Sequence, residues 1–208
     1  MSVFIEALGI KDYTKYLEQF PDKVPQAASM ALNQTTQRKG LKLAREAMIQ
    51  QVQFPSGYLY PPRFGVDKKA SPGSLLASIR GAFTPTPLAR FAGTQRARFV
   101  AARTNNRQAP RPKIRVQIKP GQFTTIARAF LITLRNGNIG LGIRLKPGEV
   151  LQNTIGTKLI VGGPLNGVYL LYGPSVDQVF RSVAVDITPP LLDELEQEFL
   201  RQFIRMVR

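Results

Sequence analysis

The chain of 208 residues is 43% hydrophobic and carries a formal net charge of +16, from 29 Lys and Arg against 13 Asp and Glu. It holds no histidine, cysteine or tryptophan, which excludes Ser-His-Asp and Cys-His catalysis, histidine or thiolate metal sites, and disulfides. The length suits one α+β domain, and the apolar content is enough for a core, so the charge does not mark a disordered polycation.

The first ten residues contain Glu6 and no basic residue, and do not read as a secretory signal. No stretch approaches the ~18–20 apolar residues needed to cross a bilayer. Residues 11–20 place Tyr13, Tyr16, Leu17 and Phe20 at helical spacing. Pro21 ends that segment and Asp22 stands where a cap would. From Pro25, tolerated in a first turn, a proline-free candidate helix runs to Val52. Its apolar face is Ala28, Ala31, Leu32, Thr35, Leu41, Ala44, Met48 and Val52. Small residues in its first half allow a neighbour to approach closely, and Gly40 weakens its middle. Arg38, Lys39, Lys42 and Arg45 form a basic patch, read as a solvated face.

Residues 54–74 mix Pro and Gly with the aromatics Phe54, Tyr58, Tyr60 and Phe64. Breakers of this density predict an extended arm without regular structure. Its aromatics need cover, from their own domain, from a neighbouring subunit or, least favoured, from nucleic-acid bases. An intersubunit contact is the expectation for these four residues. A strand follows over 74–83. Residues 84–112 are bracketed by Thr-Pro-Thr-Pro and Ala-Pro-Arg-Pro. They read as an exposed basic loop with a short helix near 94–103.

Ile114, Val116 and Ile118 alternate with Arg115 and Gln117 in a half-buried strand. Residues 129–134 are β-prone, and Asn136-Gly137 is a strong hairpin turn signal. Ile139, Leu141, Ile143 and Leu145 return, with Gly140 and Gly142 on the opposite face, a pattern that marks close approach by another backbone. The spacing of Gly137, Gly140 and Gly142 is not a dinucleotide-binding fingerprint, because it is reversed and sits in a hairpin. After turns at Gly163-Pro164 and Asn166-Gly167, a short strand covers 168–172 and a short helix 175–181. From Pro189 an amphipathic helix carries Leu192, Leu195, Phe199, Phe203 and Met206 in one stripe, beside Leu191 and Leu200, with acids first and Arg201, Arg205 and Arg208 last. The fold class is therefore α+β.

Charge is distributed unevenly along these elements. Residues 68–148 carry sixteen Lys and Arg and no Asp or Glu. Such a tract faces a polyanion, an acidic protein surface or both, beyond what a merely solvated surface requires. The candidates for that face are Arg90, Arg96, Arg98, Arg103, Arg107, Arg111, Lys113 and Arg115. Arginine predominates among them, and its planar fork pairs bidentately with phosphate or carboxylate. The acids lie in the flanks, four of them (Asp193, Glu194, Glu196, Glu198) at the start of the last helix. No catalytic residue, metal ligand or cofactor site is expected, and the chain is read as non-enzymatic.

The order of elements, with Val24-Pro25, Ala31-Leu32-Asn33, the hairpin from Phe130 through Gly137, Gly173-Pro174-Ser175-Val176-Asp177-Gln178-Val179-Phe180 and Leu192 through Arg201, resembles the minor tail protein Z family of tailed bacteriophages and prophages, also called tail completion proteins. The resemblance spans most of the chain and rests on packing and turn motifs. It implies a structural virion protein at the head–tail junction, assembled in the host cytoplasm. Its subunits would form rings, commonly six-fold, around the DNA channel. Neighbouring neck, terminator or tail-tube proteins, and double-stranded DNA in the channel, are the partners it implies, with no membrane. The alternative from another class is a non-enzymatic, sequence-independent nucleic-acid-binding protein.

Overall fold

The computed structural model describes residues 3–4, 19–93, 114–126, 128–134, 136–144, 156–160 and 167–208. The chain is α+β, with a helical N-terminal third, antiparallel sheets and a long C-terminal helix. The expected helices over 11–20 and 94–103 and the turn at Gly163-Pro164 lie outside the described residues, apart from the end of the first. Contacts sort the chain into two compact units, each built from segments distant in sequence; the one-domain expectation carried no such division.

Unit 1 comprises Met1–Met48, Leu59–Ala82 and Asp177–Arg208. Helix α1 (Lys23–Thr35) runs through a π turn (Thr36–Gly40) into α2 (Leu41–Gln51). Ala27, Ala31, Leu32, Thr35, Ala44 and Met48 are buried, close to the expected face, with Ala27 in place of Ala28. A straight helix would rotate Ala44 away from the side that carries Ala31 and Thr35. The wider turn absorbs that mismatch. Gly40 lies within it and is buried. A Cβ there would stand 3.2 Å from Ile79 Cδ1 and 3.8 Å from Leu191 Cδ2, so the glycine lets helix, strand and C-terminal helix meet.

The sheet of unit 1 orders β1 (Val3–Phe4), β3 (Ser78–Gly81) and β2 (Phe64–Lys68), all antiparallel. Asn33 closes the helix onto the loop after β2. Its Nδ2 donates to the Ala70 carbonyl and its Oδ1 accepts from the Ala70 N–H, both at 2.8 Å. Helix α3 (Val176–Val207) is one element of 32 residues, which corrects the expectation of two helices separated before Pro189. Pro189 and Pro190 each remove an N–H from the helical ladder. Both prolines are exposed, as are Val185 and Asp186, so water can satisfy the freed carbonyls. Val183, Ala184, Ile187, Leu191 and Leu195 stay buried across the break and hold the helix continuous. The buried row is Leu191, Leu195, Phe199 and Phe203: Leu195, Phe199 and Phe203 are as expected, Leu191 takes the place of the exposed Leu192, and Met206 is half-buried.

Unit 2 comprises Ile49–Tyr58 and Phe83–Val176. Its hub is β10 (Val168–Ser175), longer than expected, which pairs antiparallel with β8 (Ile139–Arg144), β9 (Gly156–Ile160) and β4 (Pro85–Pro87); β7 (Phe130–Thr133) pairs with β8. The Asn136-Gly137 hairpin is present, but its loop has three residues rather than the two of a primed turn. The Leu134 N–H donates to the Asn138 carbonyl at 2.8 Å and Gly137 takes φ 75°, the geometry of a turn closed by a left-handed residue. Gly140 and Gly142 do face something close, and it is side chain rather than backbone. Added Cβ atoms would stand 2.9 Å from Leu170 Cδ2 and 2.7 Å from Val168 Cγ1. Ile132, Val168 and Leu170, flanked by Phe130, Leu134 and Tyr172, form an apolar cluster over this face. We predict that Gly142→Val costs about 1–3 kcal/mol by overpacking, measured by urea denaturation; an unchanged midpoint would contradict this placement.

Residues 84–93, expected as exposed loop, are instead structured. Pro85 and Pro87 flank the buried Thr86 in β4, an edge strand paired on one side with β10, where a missing N–H is tolerated. A 3-10 turn (Leu88–Ala92) follows and buries Leu88, Ala89, Phe91 and Ala92. Gly173-Pro174, expected at a helix entry, lies inside β10 at a register shift against β4. The missing Cβ of Gly173 leaves room for the Phe91 ring, 2.8 Å from where that atom would be.

Candidate polyanion-facing surface

Of the eight basic candidates, the structure places Arg90 and Arg115; Arg96, Arg98, Arg103, Arg107, Arg111 and Lys113 lie outside the described residues. The two it places mark the ends of the segment that carries the rest. Arg90 projects from the 3-10 turn and sets its guanidinium over the Tyr58 ring at 5.4 Å. Three residues on, Gly93 takes φ 55°, a backbone state that favours glycine. In β5 (Ile114–Val116), Ile114 and Val116 turn inward and Arg115 outward. The Arg115 guanidinium lies 4.8 Å from the Phe123 ring centre.

Backbone bonds tie these ends together. The Gln117 N–H donates to the Phe91 carbonyl at 2.9 Å, and the Gln53 N–H to the Ile118 carbonyl at 2.7 Å. Strand β6 (Thr124–Ile126) pairs with β5. Phe91 and Gln117, which flank the six basic residues between 94 and 113 in sequence, are therefore held together in unit 2. Both guanidiniums sit on aromatic rings.

The aromatics of 54–74 do not behave as one arm. Phe54, Tyr58 and Phe64 are buried within the chain, while Tyr60 is 52% exposed. In unit 2, Phe54 stacks on Tyr58 at 5.7 Å and tilts against Phe91 at 6.0 Å. In unit 1, Phe64 meets Phe180 edge-on at 5.2 Å. The chain itself supplies the cover that the sequence reading sought from a neighbouring subunit, and 64–68 forms a strand despite the breakers around it. Tyr60 alone keeps an exposed ring, with Arg45 4.4 Å from its centre and the Arg45 Nε–H bonded to the Leu59 carbonyl at 3.0 Å. Deleting 56–66 is accordingly expected to unfold the protein rather than leave a folded monomer. A cooperative thermal transition retained by the deletion would contradict this.

A second basic surface lies in unit 1, where sequence reading assigned only solvated faces. A groove of about 600 Å³ is lined by Gln34, Arg38, Arg201, Gln202, Arg205 and Arg208, with Ile204 beside them. Arg38 comes from the π turn, Arg201 and Arg205 from the last turns of α3 and Arg208 from the residue after it, so only the tertiary fold brings them together. At its edge Glu198 is buried, and accepts from Gln202 Nε2 at 2.6 Å and from the Arg201 guanidinium at 2.5 Å. Burial pushes the Glu198 carboxyl up. The bonds from Arg201 and Gln202 and the charges of Arg201 and Arg38 outweigh it and hold its pKa below the usual carboxylate value. A depressed folded-state pKa gives stability that is present above the unfolded value and lost as pH falls through the folded one. Melting temperature should therefore drop as pH is lowered below the ordinary carboxylate range, and Glu198→Gln should flatten that part of the profile. Identical acid limbs in both proteins would exclude Glu198 as its source.

Among the described residues no three of His, Cys, Asp and Glu gather to hold a metal ion, and no helix is long and apolar enough to cross a membrane. Compared with protein families, curated proteins and solved structures, the chain matches none.

Proposed function

We propose that the chain is a structural virion protein of a tailed bacteriophage, a tail completion or neck subunit that forms a ring at the head–tail junction around the DNA channel. The observation that carries this reading is the acid-free tract. Thirteen of its sixteen basic residues fall within 83–148, in unit 2, around a segment whose flanking residues Phe91 and Gln117 are held together. A channel lined with arginine attracts duplex DNA without reading its sequence, since phosphate contacts position and base contacts specify. The reading needs no catalytic residue, cofactor or membrane. Its partners are copies of the chain, adjoining neck, terminator or tail-tube proteins, and DNA in transit.

The test is a phage carrying an early stop codon in this gene. Filled heads and complete tails should accumulate unjoined, and supplying the chain in trans should restore infectivity. Normal particles from the stop mutant would overturn the proposal. If the chain then copurifies with bulk nucleic acid outside the particle, it is a sequence-independent nucleic-acid-binding protein instead.

A further inference from the structure

The arginine groove of unit 1 has unsatisfied charge. Arg38, Arg205 and Arg208 are exposed, and among the described residues none of them forms an ion pair; Arg201 alone has a carboxylate, Glu198, in direct contact. Like charges held this close repel, and an anionic occupant relieves that cost. A duplex fits the groove poorly. Its volume of about 600 Å³ is in the range that receives a few side chains. The lining includes Ile204, 53% exposed, which a phosphodiester backbone does not cover. Polypeptide carries apolar groups beside its carboxylates, whereas a phosphate backbone does not, so the lining suits protein carboxylates.

The complementary surface is on the same helix. Asp186, Asp193 and Glu196 are exposed on α3 and form no ion pair among the described residues. Their spacings of seven and three residues put them on one face. One copy of the chain thus offers both an acidic ridge and a basic groove, at different places.

We infer that the groove of Arg38, Arg201, Arg205 and Arg208 receives the acidic ridge of Asp186, Asp193 and Glu196 from a second copy of this chain. The inference rests on the ring reading and names its subunit contact. Because the two patches differ, the contact is head-to-tail and generates a ring when its rotation closes. Buried arginine–carboxylate pairs of this kind also fix orientation and exclude wrong partners.

The test uses sedimentation of the full chain over a concentration series. Wild type should associate. Arg205→Glu with Arg208→Glu should weaken association by about tenfold or more, as should Asp193→Arg with Glu196→Arg. Mixing the two variants should restore assembly, because each reversed patch then meets its complement; misfolding of either variant could not produce that rescue. If wild type associates and both variants match it, the inference fails and the ring reading stands. If wild type stays monomeric at every concentration, alone and with the particle's other neck proteins, both fail. If the groove variant loses duplex DNA affinity with association unchanged, the groove faces phosphate and the inference is overturned.

Discussion

Phe64→Ala is expected to destabilise the protein by about 3–5 kcal/mol, the range for removing a large aromatic from a core that collapses only in part. Phe64 is 0% exposed and stands edge-on to Phe180 at 5.2 Å. The strand it starts is paired to β3 from Phe64↔Gly81 through Lys68↔Ser78. Loss of the ring thus leaves a cavity where sheet and C-terminal helix of unit 1 meet. Tyr60→Ala, four residues earlier and half exposed, should change stability by no more than about 0.5 kcal/mol. Urea denaturation of both variants measures the contrast. Equal small losses would mean that residues 54–64 are no part of the core, and would return Phe64 to the role of an intersubunit anchor.

Changing Arg96, Arg98, Arg103 and Arg107 together to Gln is expected to alter the salt dependence of DNA binding more than any other surface change. Each phosphate contact removed lowers the log–log slope by about 0.9 on duplex DNA, so four contacts account for about 3.6. Over a fourfold rise in salt, wild type should lose on the order of a hundredfold more affinity than the variant. Binding should be blind to sequence in both. Folding should be unaffected, because the described core of unit 2 is built from Leu88, Phe91, Ile114, Val116, Leu141, Val168 and Leu171 and uses none of the four. An unchanged slope would reject these arginines as the DNA face. Failed head–tail joining with unchanged DNA affinity would assign them to an acidic protein partner.

Local chemistry made part of this fold readable. Ile114, Arg115 and Val116 alternate in, out and in as their sequence does, and Asn136-Gly137 closes a hairpin. The buried side of α1 and α2 follows its small and apolar residues. Features set by tertiary packing were not readable. Pro189 and Pro190 carry a stop signal, yet the buried residues on either side hold one helix through them. Prolines at 85 and 87 signal a loop, yet β4 is an edge strand beside β10, where their missing N–H groups cost little. The breakers of 54–64 hid Phe54, Tyr58 and Phe64 because density of Pro and Gly says nothing about where an aromatic ring is buried. The basic tract was evident from composition alone. The groove in unit 1 was not, since Arg38 and Arg201 are far apart in sequence and each looked like an ordinary solvated charge.

Cryo-electron microscopy of particles from the phage that encodes this chain tests the central claim most directly. The account predicts a closed ring of copies between head and tail tube, with the 94–113 segments turned toward the DNA channel. Particles in which that ring is built from other chains, with this one absent from the virion, would contradict it.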